Sequence, residues 1–140
     1  MPPLHLKRSK DLEFYYTCEE IRAASRGALS TRQIAIIAEG TESSSFFLTA
    51  DYICRLLSDM LTDRYVKPKQ PHVNAKHRDI YRRYVILLSK HEGLRLSQYA
   101  ELISVQRAPR FYYSEDYATV HYYKLINQRN ELGKCRECDI

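Results

Sequence analysis

The stretch Phe46-Phe47-Leu48-Thr49-Ala50-Asp51-Tyr52 returns 65 positions later as Phe111-Tyr112-Tyr113-Ser114-Glu115-Asp116-Tyr117. The same spacing pairs Gln33 with Gln98, Ala35 with Ala100 and Ile37 with Leu102. A fixed internal spacing constrains a fold strongly, because it calls for one supersecondary unit used twice. Each copy reads as a short helix, a loop, an aromatic triplet, a hydroxyl cap and a longer helix. A Ser or Thr hydroxyl at the cap accepts a hydrogen bond from an otherwise orphan amide. An acid in the first turn complements the helix dipole. Aromatics just before the cap can fold back on the helix as a hydrophobic staple. Phe14-Tyr15-Tyr16-Thr17-Cys18-Glu19-Glu20 is a third echo of the motif.

The rest of the chain predicts an all-α protein of two similar helical halves with about six helices. Thr17 caps a helix over 18–25, with Glu20 completing a capping box and Gly27 ending it. Ser30 caps 31–39, which stops at Gly40. Thr49 caps 50–63, where Ile53, Leu56, Leu57, Met60 and Leu61 form one apolar stripe of helical period. Asn74 caps 75–91, with Ile80, Tyr84, Leu87 and Leu88 on one face. Ser97 caps 98–105, and Ser114 caps 115–131 with Gly133 just beyond. Only 4 Gly and 5 Pro occur in 140 residues, too few for a turn-dense β-sandwich or barrel. Pro68 and Pro71 restrict their predecessors to extended backbone and mark a linker. The expected organisation is an N-terminal half over 1–66 for packing or dimerisation and a linker over 67–72. A C-terminal half over 73–131 and a flexible tail over 132–140 follow.

The formal charge of +5 divides unevenly at that linker. Residues 1–66 hold eight Lys/Arg against nine Asp/Glu, a net of −1, and residues 67–140 hold 14 against 8, a net of +6. The basic half also carries eight of the 12 Tyr and four of the 5 His. A basic, aromatic half beside a near-neutral one points to a polyanionic partner, and a solvated basic surface is the plain alternative.

His77-Arg78-Asp79-Ile80-Tyr81-Arg82-Arg83 and Ala108-Pro109-Arg110-Phe111-Tyr112-Tyr113-Ser114 together resemble a family of small uncharacterised proteins. That family is carried by anaerobic gut bacteria and their mobile elements. Leu96-Ser97-Gln98-Tyr99-Ala100-Glu101-Leu102-Ile103, with Asp116-Tyr117-Ala118-Thr119-Val120-His121, is similar to a helix-turn-helix. The likeness is to the DNA-binding domain of the bacterial replication initiator, built like the Trp repressor. Asp116, Ala118, Thr119 and Val120 match the stretch that opens that family's recognition helix. Tyr117 stands where the family has His, and the connection from Val105 to Tyr113 is longer than the family's turn.

The resemblance implies a duplex DNA reader, acting in regulation or mobile-element biology. Ser114, Thr119 and the amides of the helix start would hold phosphates. Arg107 and Arg110 would reach the backbone or a groove edge. Lys76, Arg82 and Arg83 would add phosphate contacts, and Lys124 and Arg129 lie further along the candidate recognition helix. Tyr112 or Tyr113 would stack on an unpaired base if the target is single-stranded. Such modules usually act as dimers, which makes a homodimer the expected assembly. The rival expectation is a protein-interaction or structural adaptor using the Tyr/Arg-rich surface.

No nucleophile elbow, phosphate loop or H-E-x-x-H motif is present, so we expect no enzyme. Cys135 and Cys138 form a C-x-x-C that supplies only two of four zinc ligands, and His72 and His77 precede them by about sixty residues. We therefore expect no metal and no cofactor, and reduced thiols in a cytoplasmic protein. Cys18 and Cys54 read as small core residues. There is no apolar run of membrane-spanning length, and Met1–Lys10 lacks a signal-peptide apolar region.

Overall fold

The computed structural model describes the backbone of residues 4–138 and the side chains of residues 5–130. Six helices follow one another: α1 (Leu4–Ser25), α2 (Thr31–Glu39), α3 (Ala50–Leu61), α4 (Pro71–Lys90), α5 (Leu96–Ser104) and α6 (Glu115–Cys138). Among the described residues there is no strand; one isolated antiparallel bridge joins Ser43 to Ala108. The protein is all-α.

Local chemistry explains most helix starts. Ser30 Oγ accepts from the Gln33 amide while Gln33 Oε1 accepts from the Ser30 amide, a closed capping box at 3.2 and 2.8 Å. Thr49 Oγ1 accepts from the Tyr52 amide at 3.1 Å, and Ser114 Oγ accepts from the Tyr117 amide at the same distance. Each of these satisfies one donor that the first turn cannot pair internally.

Four boundaries differ from the sequence expectation. Helix α1 does not begin after Thr17 but runs through it. The Thr17 hydroxyl donates back to the Glu13 carbonyl at 2.9 Å, so it is satisfied inside the helix. Helix α4 begins at Pro71, not after Asn74. Proline suits the first helical position, where a missing N–H removes nothing. Ser97 does not cap α5: Arg95 is the N-cap residue, and Gln98 Oε1 accepts from its amide at 2.8 Å. Helix α6 continues through Gly133 to Cys138, so the tail expected over 132–140 is helical as far as the described backbone extends. The side chains of Cys135 and Cys138 lie outside the described residues.

Two apolar cores form, and neither matches a half of the sequence. One gathers Ile53, Leu56 and Leu57 of α3 with Ile80, Tyr84 and Leu87 of α4 and with Tyr99, Ala100 and Ile103 of α5. The other gathers Phe14 and Cys18 of α1, Ile34, Ala35 and Ala38 of α2, and Ala118 and Tyr122 of α6. The linker over 67–72 therefore does not separate two packed units: α3 serves the C-terminal core and α6 serves the N-terminal one. The exchange is organised where the two loops cross. The Ser43 amide donates to the Ala108 carbonyl at 2.9 Å, and the Ala108 amide donates to the Ser43 carbonyl at 3.1 Å.

The aromatic triplets divide between these cores. Phe46 and Tyr112 enter the α3–α4–α5 core, while Phe47, Phe111 and Tyr113 enter the other. Phe47 and Tyr112 both sit in the left-handed region, at φ 57° and 62°. A bulky residue there costs about 1–2 kcal/mol, and burial of large aromatic surface offsets that cost. The turn of the backbone aims neighbouring rings at opposite cores.

Candidate functional site

Between Arg64 and Lys90 the chain holds eight Lys/Arg and a single acid, Asp79. The carboxylate of Asp79 is already engaged. Tyr112 Oη donates to Oδ2 at 2.6 Å, and Arg82 Nη1 donates to Oδ1 at 3.5 Å. Burial and this bond to Asp79 push the Tyr112 hydroxyl far above its ordinary value, so it stays a proton donor. The outer side of α4 thus presents cations with little local compensation. An open groove of about 480 Å³ lies there, lined by Lys67, Arg78, Arg82, Tyr65 and Tyr81 among others. Tyr81 is 40% exposed.

A second cavity, also about 480 Å³, opens where the two cores meet. Helix α1 contributes Lys7, Lys10 and Asp11, and the first turns of α4 contribute His72, Lys76 and His77. Tyr112 and Tyr113 form part of its wall. The Lys10 Nζ stands 4.3 Å from the centre of the Tyr113 ring, and the Lys76 Nζ stands 5.9 Å from that of Tyr112. Burial pulls Lys10 down to about 8, against the raising influence of Asp11 and Glu39. Burial and the nearby Lys10 ammonium pull Lys76 down to about 7. Burial also lowers His72, aided by Lys10, and His77, aided by Lys76. Asp11 is no free counter-ion. Burial pushes its carboxyl up, but hydrogen bonds and the charge of His121 outweigh burial and hold it below its usual value. His121 Nε2 lies 2.7 Å from Asp11 Oδ1, and Tyr113 Oη donates to the same oxygen at 3.2 Å.

The residues expected on a recognition surface do not come together. Helices α5 and α6 are not packed on each other, as a helix-turn-helix requires; they belong to different cores. Arg110 forms a two-point ion pair with Glu39, whose carboxylate is 4% exposed, and the bond to Glu39 raises the Arg110 value further. Arg107 faces Glu42 at 3.5 Å. Tyr112 and Tyr113 are buried and hydrogen-bonded, so neither ring projects from the outer surface as a stacking platform for a strand. Ser114 caps α6, and the Thr119 hydroxyl donates to the Glu115 carbonyl at 2.9 Å. Ala118 is fully buried, while Glu115 and Asp116 pair with Arg32 and place acid at the start of α6. Arg83 Nη1 donates to Gln106 at 3.4 Å, Lys124 is exposed, and Arg129 rests over the rings of Tyr15 and Tyr16. Of the expected set, Arg82 joins the open groove, and Lys76, Tyr112, Tyr113 and Ser114 line the cavity.

Sequence reasoning missed Lys67, Arg78 and Tyr81 of the groove, and Lys7, Lys10 and His72 of the cavity. A charge count over 64–90, instead of over half the chain, picks out the first group. Nothing in the sequence joins Lys10 to Lys76, because their meeting depends on how α1 and α4 are placed. Among the described residues no cluster of three His, Cys, Asp or Glu could hold a metal ion, and no helix is long and apolar enough to cross a membrane. Comparison with protein-family models, curated proteins and solved structures returns no match for this chain.

Proposed function

We propose that this protein binds nucleic acid without acting as an enzyme, and that it grips phosphate along α4 instead of through the α5–α6 connection. The observation that carries the reading is the excess of Lys/Arg over one engaged acid in 64–90, of which Lys67, Arg78 and Arg82 line a groove beside the exposed Tyr81. Cations on such a surface displace the counter-ions condensed on a phosphate backbone, and that release drives association. Duplex DNA is the favoured form, because α4 is an uninterrupted 20-residue helix and the major groove admits a helix. A role in regulation or mobile-element biology, in the cytoplasm, belongs to the same proposal.

The test is fluorescence anisotropy with a random duplex and the matching single strand across a salt series. Binding should weaken in proportion to the logarithm of salt, with a slope of about −0.9 per neutralised phosphate. Arg78→Ala with Arg82→Ala should weaken binding and flatten the slope by about two such contacts. Arg107→Ala should leave both unchanged. Failure of the wild type to bind either oligonucleotide at about 50 mM salt overturns the reading.

One observation favours the rival, a protein-interaction module. Val85, Ile86 and Leu88 are exposed on the second half of α4, where apolar surface commonly marks a protein partner. A second copy of the chain is the occupant that reading takes. Concentration-dependent dimerisation that persists at high salt and is lost in Val85→Glu supports it; a monomer at every concentration removes it.

A further inference from the structure

We propose that the cavity between α1 and the first turns of α4 binds a phosphate monoester, its phosphate held between Lys10 and Lys76 and its organic part laid against the tyrosine wall. The proposal stands on this cavity and is independent of the groove on the outer side of α4.

Three lysines and two histidines face this space, with Asp11 as the one acid lining it. Asp11 is shared with His121 and Tyr113, and with Glu39 it offsets only part of the charge of three lysines. Among the described residues no carboxylate comes within ion-pair distance of Lys10 or Lys76. Like charges gathered in a partly buried space with too few counter-charges work against folding. Their arrangement is that of an anion site, where the ligand supplies the missing charge. The amide end of α4 adds to it. Its N-cap residue Gln70 makes no side-chain cap bond, and Gln70, His72 and Val73 line the cavity, so the positive end of the helix dipole faces the same space.

The walls decide the rest of the ligand. Phe47, Tyr52, Tyr112, Tyr113 and Tyr117 give them an aromatic character that suits a flat ring. A volume of about 480 Å³ falls within the range of about 300–1,000 Å³ common to small-molecule sites, and exceeds what a bare phosphate needs. A phosphate monoester carrying a ring, such as a mononucleotide, meets both demands. The same chemistry is offered by a free nucleotide and by the 5′-phosphate end of a strand.

Burial depresses Lys76 and Lys10, and a bound dianion would restore their charge. The other groups facing the two lysines are Lys7, Asp11, Glu39, His72 and His77, with the Tyr112 and Tyr113 hydroxyls held protonated.

The test is isothermal titration calorimetry of the full chain with AMP, adenosine and inorganic phosphate. AMP should bind at least tenfold more tightly than phosphate, and adenosine should not bind. Lys76→Met and Lys10→Met should each lower AMP affinity at least tenfold, while a thermal melt shows each variant folded and no less stable than the wild type. Lys76→Arg should recover part of the loss. At pH 8, AMP binding should take up protons, seen as different enthalpies in HEPES and Tris. Anisotropy with a 5′-phosphorylated and a 5′-hydroxyl strand separates the sources. A tenfold preference for the phosphorylated strand, without AMP binding, assigns the site to a strand end. AMP binding that survives Arg78→Ala with Arg82→Ala shows the cavity and the groove to be separate. Equal binding of AMP and adenosine, no binding of AMP or preference for the phosphorylated strand, or full affinity in Lys76→Met overturns the proposal.

Discussion

Arg110 and Lys76 are both basic residues beside a helix start, yet their surroundings give them opposite roles. The Arg110 guanidinium fits the buried Glu39 carboxylate at two points, so its charge is spent inside the fold. Lys76 meets no acid, and burial drives it to about 7. A depressed lysine has a definite pH signature. Between about 7 and the ordinary lysine value of 10.5, the unfolded chain keeps a proton that the folded chain has released. Folding is therefore disfavoured by low pH, and stability rises as pH climbs from about 7. Lys10, pulled to about 8, adds to the rise above that point. We expect the melting temperature to increase between about pH 7 and pH 9 in the wild type, and less so in Lys76→Met. Calorimetric melts across that range check it, and an equal pH dependence in both proteins refutes it. None of this is visible in the string of residues, where Arg110 and Lys76 are alike one more positive charge.

At the scale of single elements the sequence was legible wherever the cause is local. Ser30, Thr49 and Ser114 cap as their positions suggest, because the acceptor and the amide it serves are three residues apart. The failures are also local in cause. Thr17 and Ser97 carry the same hydroxyl, but one bonds backward within a longer helix and the other lies past a start already made at Arg95. Thr49→Ala should cost about 1 kcal/mol. Ser97→Ala, at an exposed position inside α5, should stay within about 0.5 kcal/mol. Urea denaturation of the two variants measures the contrast, and equal losses would return Ser97 to a capping role. The recognition surface failed for a different reason. A helix-turn-helix requires α5 to pack on α6, and helix pairing is not a local property.

At the scale of the whole molecule, packing ignores the division that charge and prolines suggest. Each core takes two helices from one side of the Pro68–Pro71 segment and one from the other. Hydrophobic spacing told the buried faces of α3 and α4, apart from the exposed Leu61 and Leu88, but not against which neighbour, since every apolar stripe has the same chemistry. Fragments 1–66 and 67–140 each lack the third helix of their core. Expressed apart, each should show no cooperative thermal transition, and mixing the two should restore one. A cooperative melt from fragment 67–140 alone would show that α4, α5 and α6 suffice without α3.

The crossing at Ser43 and Ala108 also sets an order of events during synthesis. The α1–α2 pair leaves the ribosome early, but the helix that closes its core begins only at Glu115, about 75 residues after α2 ends. At about 5–20 residues per second that is a wait of roughly 4–15 s. Throughout it the α1–α2 pair lacks the cover that α6 gives its remaining apolar surface. The exchange that binds the finished protein together leaves its nascent form open to chaperones and to aggregation until α6 is made.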